Sequence, residues 1–273
     1  NGARSGSVTM HDRLTRGRVM SQPIARFGVI SGMIETAENL ARDYQISREA
    51  CDAYAVKSHQ RATQAWKENR FADELVPVAV PQRKGDPKIF AHDEGYRADA
   101  TMETLGALRA IEKGGVVTAG NASQQNDAAA ACLVVAEDQL EKLGLEPMGY
   151  FVGWAAAGCD PARMGIGPVP AVERLFARSG LKWSDIDLVE LNEAFASQVL
   201  AVLKGWGWTD DDSRRDILNV NGSGISLGHP IGATGVRILA NLMYEMKKRD
   251  AKYGLETMCI GGGQGIAAVF ERA

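Results

Sequence analysis

Histidine is scarce in this chain, four residues in 273, and cysteine is no commoner. Cys51, Cys132, Cys159 and Cys259 show no Cys-x-x-Cys spacing, and with so few histidines nearby a zinc site is not expected. Free thiols in a chain of this size fit a reducing, cytoplasmic setting. No apolar run reaches the ~20 residues of a membrane-spanning helix, and no charged-then-apolar leader opens the chain. Basic excess is lacking too: 31 Lys and Arg face 34 Asp and Glu, a net charge of −3, which argues against a nucleic-acid partner. There is no Walker-type phosphate loop, no serine in a nucleophile elbow and no aspartate at a triad position, so nucleotide-triphosphatase and serine-hydrolase chemistry drop out. What is present, 45% hydrophobic and 24% charged residues, describes an ordinary globular chain with room for one large or two modest domains. The first residue is Asn1 rather than methionine, which suggests a fragment, a processed piece or one part of a split protein.

The pattern along the chain changes at Gly114. Before it, Asn1 to Phe27 is polar and aperiodic, a loop or short extended segment. The spacing then predicts helices over Ile34–Tyr44 and Ser47–Phe71, with Ser47 as N-cap. In the second helix Ala55, His59, Ala62 and Trp66 recur at helical steps, which places His59 at the edge of a solvated face. Glu74–Val80 predicts a strand and Leu105–Ile111 a short helix, so this part is expected to be loop-rich with little core of its own. After Gly114, Val116–Ser123 predicts a strand. The apolar run Ala128–Ala136 suits a buried strand or a buried helix, and Val134-Val135 favours the strand; Cys132 inside it is expected to be a core thiol. From Met148 strands and helices alternate: Met148–Ala157, Pro170–Ser179, Ile186–Leu191, Ala194–Lys204, Ile217–Val220, a helix after His229, then strands Glu256–Ile260 and Gly265–Glu271. Alternation with short links implies an α/β fold with a mostly parallel sheet and ligands gathered beyond its carboxyl ends. The run Gly205–Asp212, with two tryptophans, is expected to be an exposed loop.

Three of those strand ends carry reactive groups. His229 follows a glycine-lined turn, Asn219 to Gly228, and precedes Pro230, a residue suited to the first position of a helix. The positive end of that helix disfavours an imidazolium, and a neutral ring there can accept or donate a proton at neutral pH. Asn192 either caps the helix near Ala194 or holds a water or carbonyl oxygen. Cys259 precedes Gly261-Gly262-Gly263, where backbone N–H groups can face a developing anion. It suits an acid–base or a nucleophile, the alternative being a small buried residue in a turn.

Asn192-Glu193-Ala194-Phe195, Gly228-His229-Pro230 and Cys259-Ile260-Gly261-Gly262-Gly263-Gln264-Gly265 resemble the three C-terminal motifs of thiolases, the acyl-CoA C-acyltransferases. The resemblance extends in order through Thr36-Ala37-Glu38-Asn39, Thr118–Ser123 and Met164-Gly165. It implies a layered α-β-α-β-α fold, with a loop domain over 1–114, the last part of an N-terminal half over 115–146 and a C-terminal domain over 147–273. It further implies ping-pong acyl transfer through a cysteine acyl-enzyme, either cleaving 3-ketoacyl-CoA or condensing acyl groups, as in fatty acid metabolism and β-oxidation. Carried over, His229 activates the nucleophile and helps hold the thioester oxygen. Asn192 fixes the water completing that oxyanion site. Cys259 moves the proton at the α-carbon or leaving thiol, and the N–H of Gly261 serves a second oxyanion site. Ser123, Met164, Phe195 and Ala194 match positions lining the coenzyme A tunnel. Met33 stands where many relatives have a substrate-contacting His-Met-Gly run; the loss of that histidine weakens an acetoacetyl-specific assignment and leaves longer 3-ketoacyl groups open.

The resemblance implies no covalently bound cofactor, coenzyme A thioesters as substrates, and a dimer or tetramer. None of the four cysteines occupies the context of the family's nucleophile, so the N-terminal half is expected to be incomplete, with a partner piece carrying that residue. A ketoacyl synthase is disfavoured because Cys259 stands where its second His or Asn belongs. A non-catalytic acyl-CoA or lipid carrier would leave Asn192, His229 and Cys259 together without a task.

Overall fold

The computed structural model describes residues 9, 10, 16, 17, 20, 23–28 and 31–273, so most of the expected extended segment up to Phe27 lies outside the described residues. Helix α1 (Ile24–Phe27) is a single turn. Helices α2 (Met33–Asp43) and α3 (Arg48–Lys67) follow, the latter capped as expected by Ser47, whose side chain accepts from the Ala50 N–H at 3.1 Å. The hairpin β1 (Val78–Val80) with β2 (Lys88–Phe90) is exposed on all six residues. Helix α4 (Met102–Gly106) begins earlier than its apolar spacing implied, because Thr101 caps it through Thr104. The expected strand over Val116–Ser123 reduces to isolated bridges, Ala110 to Thr118 and Ala122 to Phe195.

The expected strand Ala128–Ala136 does not form. The run forms neither helix nor strand, with Leu133 and Val134 85% and 92% exposed; no strand lies beside it among the described residues, and an apolar run without a ladder partner has nothing to bury against. Cys132 is therefore exposed rather than a core thiol. After α5 (Leu140–Leu143) the chain enters its main sheet, of order β3–β6–β5–β4, where β3 is Gly149–Gly158, β4 Leu188–Leu191, β5 Tyr253–Ile260 and β6 Gln264–Arg272. Only β4 and β5 pair in parallel; β5–β6 and β6–β3 are antiparallel. The sheet is mixed rather than mostly parallel because a three-glycine turn reverses the chain straight from β5 into β6. Gly262 and Gly263 hold φ of 91° and 90° there, a region that residues with a Cβ avoid. Ile217–Val220 contributes two isolated parallel bridges, Leu218 to Val189 and Val220 to Gly222, and no longer strand.

Helix α6 (Pro168–Ser179) packs through Ala171, Val172 and Leu175 against the face carrying Val189, Leu255 and Val269, together with α7 (Ala196–Gly205). Helix α9 (Thr234–Arg249) packs through Leu242, Met243 and Met246 on the face carrying Leu188. Successive strand residues point to opposite faces, so Leu188 and Val189 define an α–β–α sandwich, three of the layers the resemblance implies. The N-terminal helices do have a core: Leu40, Ala41, Cys51 and Ala55 meet Ala196, Leu200 and Ala201 of α7. The tryptophan run is not an exposed loop either. Trp208 is 1% exposed and packs edge-on to Trp183 and tilted against Trp206. No helix among the described residues is long and apolar enough to cross a membrane.

His59 is buried rather than edge-solvated, 4% exposed, and its Nδ1 accepts from the Arg97 N–H at 3.1 Å. Burial first, then the Arg97 charge, push the ring from 6.5 down to about 4. The unfolded chain thus takes up this proton first, and stability present above pH 6.5 is lost as pH falls toward the folded value. By pH ~4.5 this residue removes on the order of 2–3 kcal/mol. Urea unfolding of wild type and His59→Gln at pH ~7 and ~4.5 checks this, the variant showing the smaller acid-dependent loss.

Candidate active site

The carboxyl ends of the parallel elements meet on one edge of the sheet. Leu191 ends β4 opposite Thr257, and the Asn192 N–H donates to the Thr257 carbonyl at 3.0 Å. Cys259 lies two residues farther along β5, with Gly261 in the turn beyond it. Beside β4, the Asn219 carboxamide pairs with both backbone groups of Leu191, at 2.9 and 2.8 Å. From there the short helix α8 (Gly224–Leu227) leads to His229.

His229 Nδ1 stands 2.7 Å from Thr234 Oγ1, whose own proton goes to the Pro230 carbonyl at 2.8 Å. The hydroxyl oxygen therefore accepts, Nδ1 carries the ring proton, and Nε2 keeps its lone pair. Burial, then the charge of Arg237, hold the ring below 6.5, so His229 is neutral at pH 7. The cause differs from the expected one. α9 starts at Thr234, after a turn closed by the Thr234 N–H on the Pro230 carbonyl at 2.9 Å, so His229 precedes the helix by a full turn, where the macrodipole has faded.

Asn192 is 1% exposed, and neither Oδ1 nor Nδ2 has a hydrogen-bond partner among the described residues. It does not cap α7, whose N-cap is Phe195 with no side-chain bond. The carboxamide lies against Gly224, where a Cβ would come within 2.9 Å of Asn192 Oδ1 and 2.6 Å of the Glu193 carbonyl; the close approach requires glycine. A buried amide with both ends unpaired is costly, and such a group marks where a ligand or water hydrogen-bonds.

Cys259 is half-buried on β5, and burial pushes its thiol up to about 12, with Cys159 adding to the shift. At pH 7 it is a proton donor rather than a standing thiolate. A Cβ built at Gly261 meets nothing within 4 Å, so the backbone at the turn faces open space. Cys51 and Cys159 are likewise pushed up, to about 12 and about 11, chiefly by burial. Alkylation by iodoacetamide at pH ~7, followed by peptide mass mapping, is expected to label exposed Cys132 first and Cys51 and Cys259 last; equal labelling of Cys259 and Cys132 would contradict its burial.

Ser123, Ala194 and Phe195 come together: the Ser123 N–H donates to the Ala194 carbonyl at 2.9 Å and Ala122 bridges Phe195. The same segment reaches α8 through Gln124 Nε2 to the Ile225 carbonyl, 3.2 Å, and sets Asn126 against Gly228. A cleft of about 370 Å³ opens between Asn126–Ala130 and Pro230–Ala233, alongside His229. Met164 is buried in the turn Pro161–Ile166, and Met33 begins α2, which packs on that turn and on α7. Both methionines thus lie where α2 packs on that turn. Three residues escaped the sequence reading as site components: Thr234, which orients His229; Arg237, half-buried near Glu190; and the carboxylate of Glu193. The one available signal was a hydroxyl five residues after the histidine, in the first turn of its helix.

Residues 2–138 match the model of the thiolase N-terminal domain and residues 145–272 that of the thiolase C-terminal domain. The chain belongs to the thiolase family. An acetyl-CoA acetyltransferase of Thiocystis violacea is 53% identical over 238 residues, 87% of this thiolase chain and 59% of that protein. One from Rhizobium meliloti is 46% identical over 272 residues, 99% of this chain and 66% of the relative. Among solved structures, the Bacillus anthracis acetyl-CoA acetyltransferase superposes with a TM-score of 0.87 at 41% identity, covering 99% of this chain and 67% of that one. Human mitochondrial 3-ketoacyl-CoA thiolase gives 0.83 at 38%, covering 100% and 67%. The thiolase chain thus spans about 59% of the length of the first of these relatives.

Proposed function

We propose that this thiolase chain supplies the His, Asn and Cys part of an acyl-CoA C-acyltransferase site, cleaving 3-ketoacyl-CoA with CoA or running the reverse condensation of acetyl-CoA with an acyl group. Coenzyme A thioesters are the substrates. None of the four cysteines occupies the context of the family's nucleophile, so that residue is proposed to be carried elsewhere, on a further stretch of the polypeptide or a partner chain, within a homo-oligomer.

His229 Nε2 takes the proton of that nucleophile as its sulfur attacks the thioester carbonyl. The imidazolium so formed and a water held by Asn192 then face the oxyanion. The neutral thiol of Cys259 protonates the departing sulfur, and the resulting thiolate removes the α-proton of the second acetyl group in condensation. The Gly261 N–H faces the second thioester oxygen. Ser123, Ala194, Phe195, Met164 and Met33 are proposed to line the approach of the pantetheine and acyl chain. The observation that carries this reading is the buried, unpaired Asn192 carboxamide on the sheet edge where the His229 turn and Cys259 emerge.

The test is thiolytic cleavage of acetoacetyl-CoA and of longer 3-ketoacyl-CoA by the protein expressed from its complete reading frame. Turnover lost in Cys259→Ala supports the reading. Binding of CoA thioesters with turnover unaltered by this change would favour a carrier.

A further inference from the structure

We propose that Glu193 is the positioning residue of this site, a single carboxylate that sets the Asn192 carboxamide and the His229 turn relative to each other; this rests on the acyltransfer reading above. Glu193 is 1% exposed and receives four donors. Tyr54 Oη and Asn219 Nδ2 donate to Oε1 at 2.9 and 3.0 Å. Ser58 Oγ and the Ile225 N–H donate to Oε2 at 2.7 and 3.2 Å. These donors come from three places: α3, the segment beside β4, and α8.

The connectivity explains why this matters for the reacting groups. Glu193 is covalently next to Asn192. Ile225 follows Gly224, the residue pressed on the Asn192 carboxamide, and precedes His229 by four residues. Ser58 Oγ also meets Ser226 Oγ at 2.8 Å, so α3 grips α8 at two adjacent points. One side chain therefore ties the strand end bearing Asn192 to the helix that leads into the His229 turn. Every partner is a donor, so the site needs an acceptor on both oxygens. A glutamine of nearly the same shape would place an NH₂ group against two donors, keeping the volume and breaking half of the clamp.

The experiment compares wild type, Glu193→Gln, Asn192→Ala and the double variant, each in the full-length protein. Displacing reacting groups by a fraction of an ångström to 1 Å costs up to about 10²-fold. We expect Glu193→Gln to lower kcat by about 10–10²-fold with KM changed less than about threefold. In the Asn192→Ala background the same change should cost less than about threefold, because the two act as a unit. A kcat within about twofold of wild type, or effects that multiply in full in the double variant, would overturn the proposal.

Should Glu193→Gln not fold, Tyr54→Phe with Ser58→Ala removes two donors and leaves the carboxylate. An NMR arm needs no turnover: the Asn192 side-chain amide and His229 ring resonances are expected to shift in Glu193→Gln, and unmoved resonances would overturn the proposal. If wild type cleaves no 3-ketoacyl-CoA, the acyltransfer reading fails by itself, while the NMR arm still reads the clamp.

Discussion

Replacing His229 with alanine is expected to lower turnover of a 3-ketoacyl-CoA by about 10³–10⁴-fold while leaving the folded state intact. The ring is held through Nδ1 by Thr234, so Nε2 is the only nitrogen able to receive a proton. Among the described residues no other imidazole can replace it: His59 is buried against Arg97, and His92 stacks on Trp66. The same geometry sets the pH dependence. Burial and Arg237 place the folded pKa of His229 below 6.5, so the neutral, active form already dominates at pH 7. The kcat/KM profile should stay level down to pH ~6.5 and fall about tenfold per pH unit only below the depressed pKa. Steady-state kinetics across this range check both statements. A limb starting well above 6.5 would mean that another group titrates.

Asn192→Leu should separate stability from activity. Both polar atoms of this carboxamide are buried without a partner among the described residues, and each such atom costs ~1–3 kcal/mol until a water or ligand pairs with it. The water held by the amide offsets that cost, so an apolar side chain of similar volume is expected to leave the unfolding free energy within about 1 kcal/mol of wild type. Turnover should drop by about 10²–10³-fold, the loss seen when one oxyanion donor is removed. Urea unfolding and steady-state assays on one preparation measure both. A variant that is less stable and equally active would show that Asn192 serves packing.

Much of the C-terminal part was legible in the sequence because its signals are local. The strands read at Met148–Ala157 and Gly265–Glu271 exist nearly as expected, as β3 and β6, and the helix read at Pro170–Ser179 forms as α6, beginning two residues earlier. Pairing direction was not legible, since strand–helix alternation says nothing about a chain that reverses through Gly261–Gly263 without a helix. Ala128–Ala136 failed for a different reason: its apolar composition speaks of burial, yet a strand requires a neighbour, and composition does not supply one. His59 and Trp208 were placed in solvent by periodicity and loop grammar, while their burial depends on Arg97 and on Trp183, distant in sequence. At the site, His229, Asn192 and Cys259 stood out as polar residues at strand ends. The Glu193 network did not, because its donors are spread from Tyr54 to Ile225.

A crystal structure of the full-length protein with acetyl-CoA tests the central claim most directly. The expected result is a thioester oxygen within about 3 Å of His229 Nε2 and joined to the Asn192 carboxamide directly or through one water, with the Cys259 sulfur facing the same ester. A thioester seated with its carbonyl out of reach of both His229 and Asn192 would contradict it.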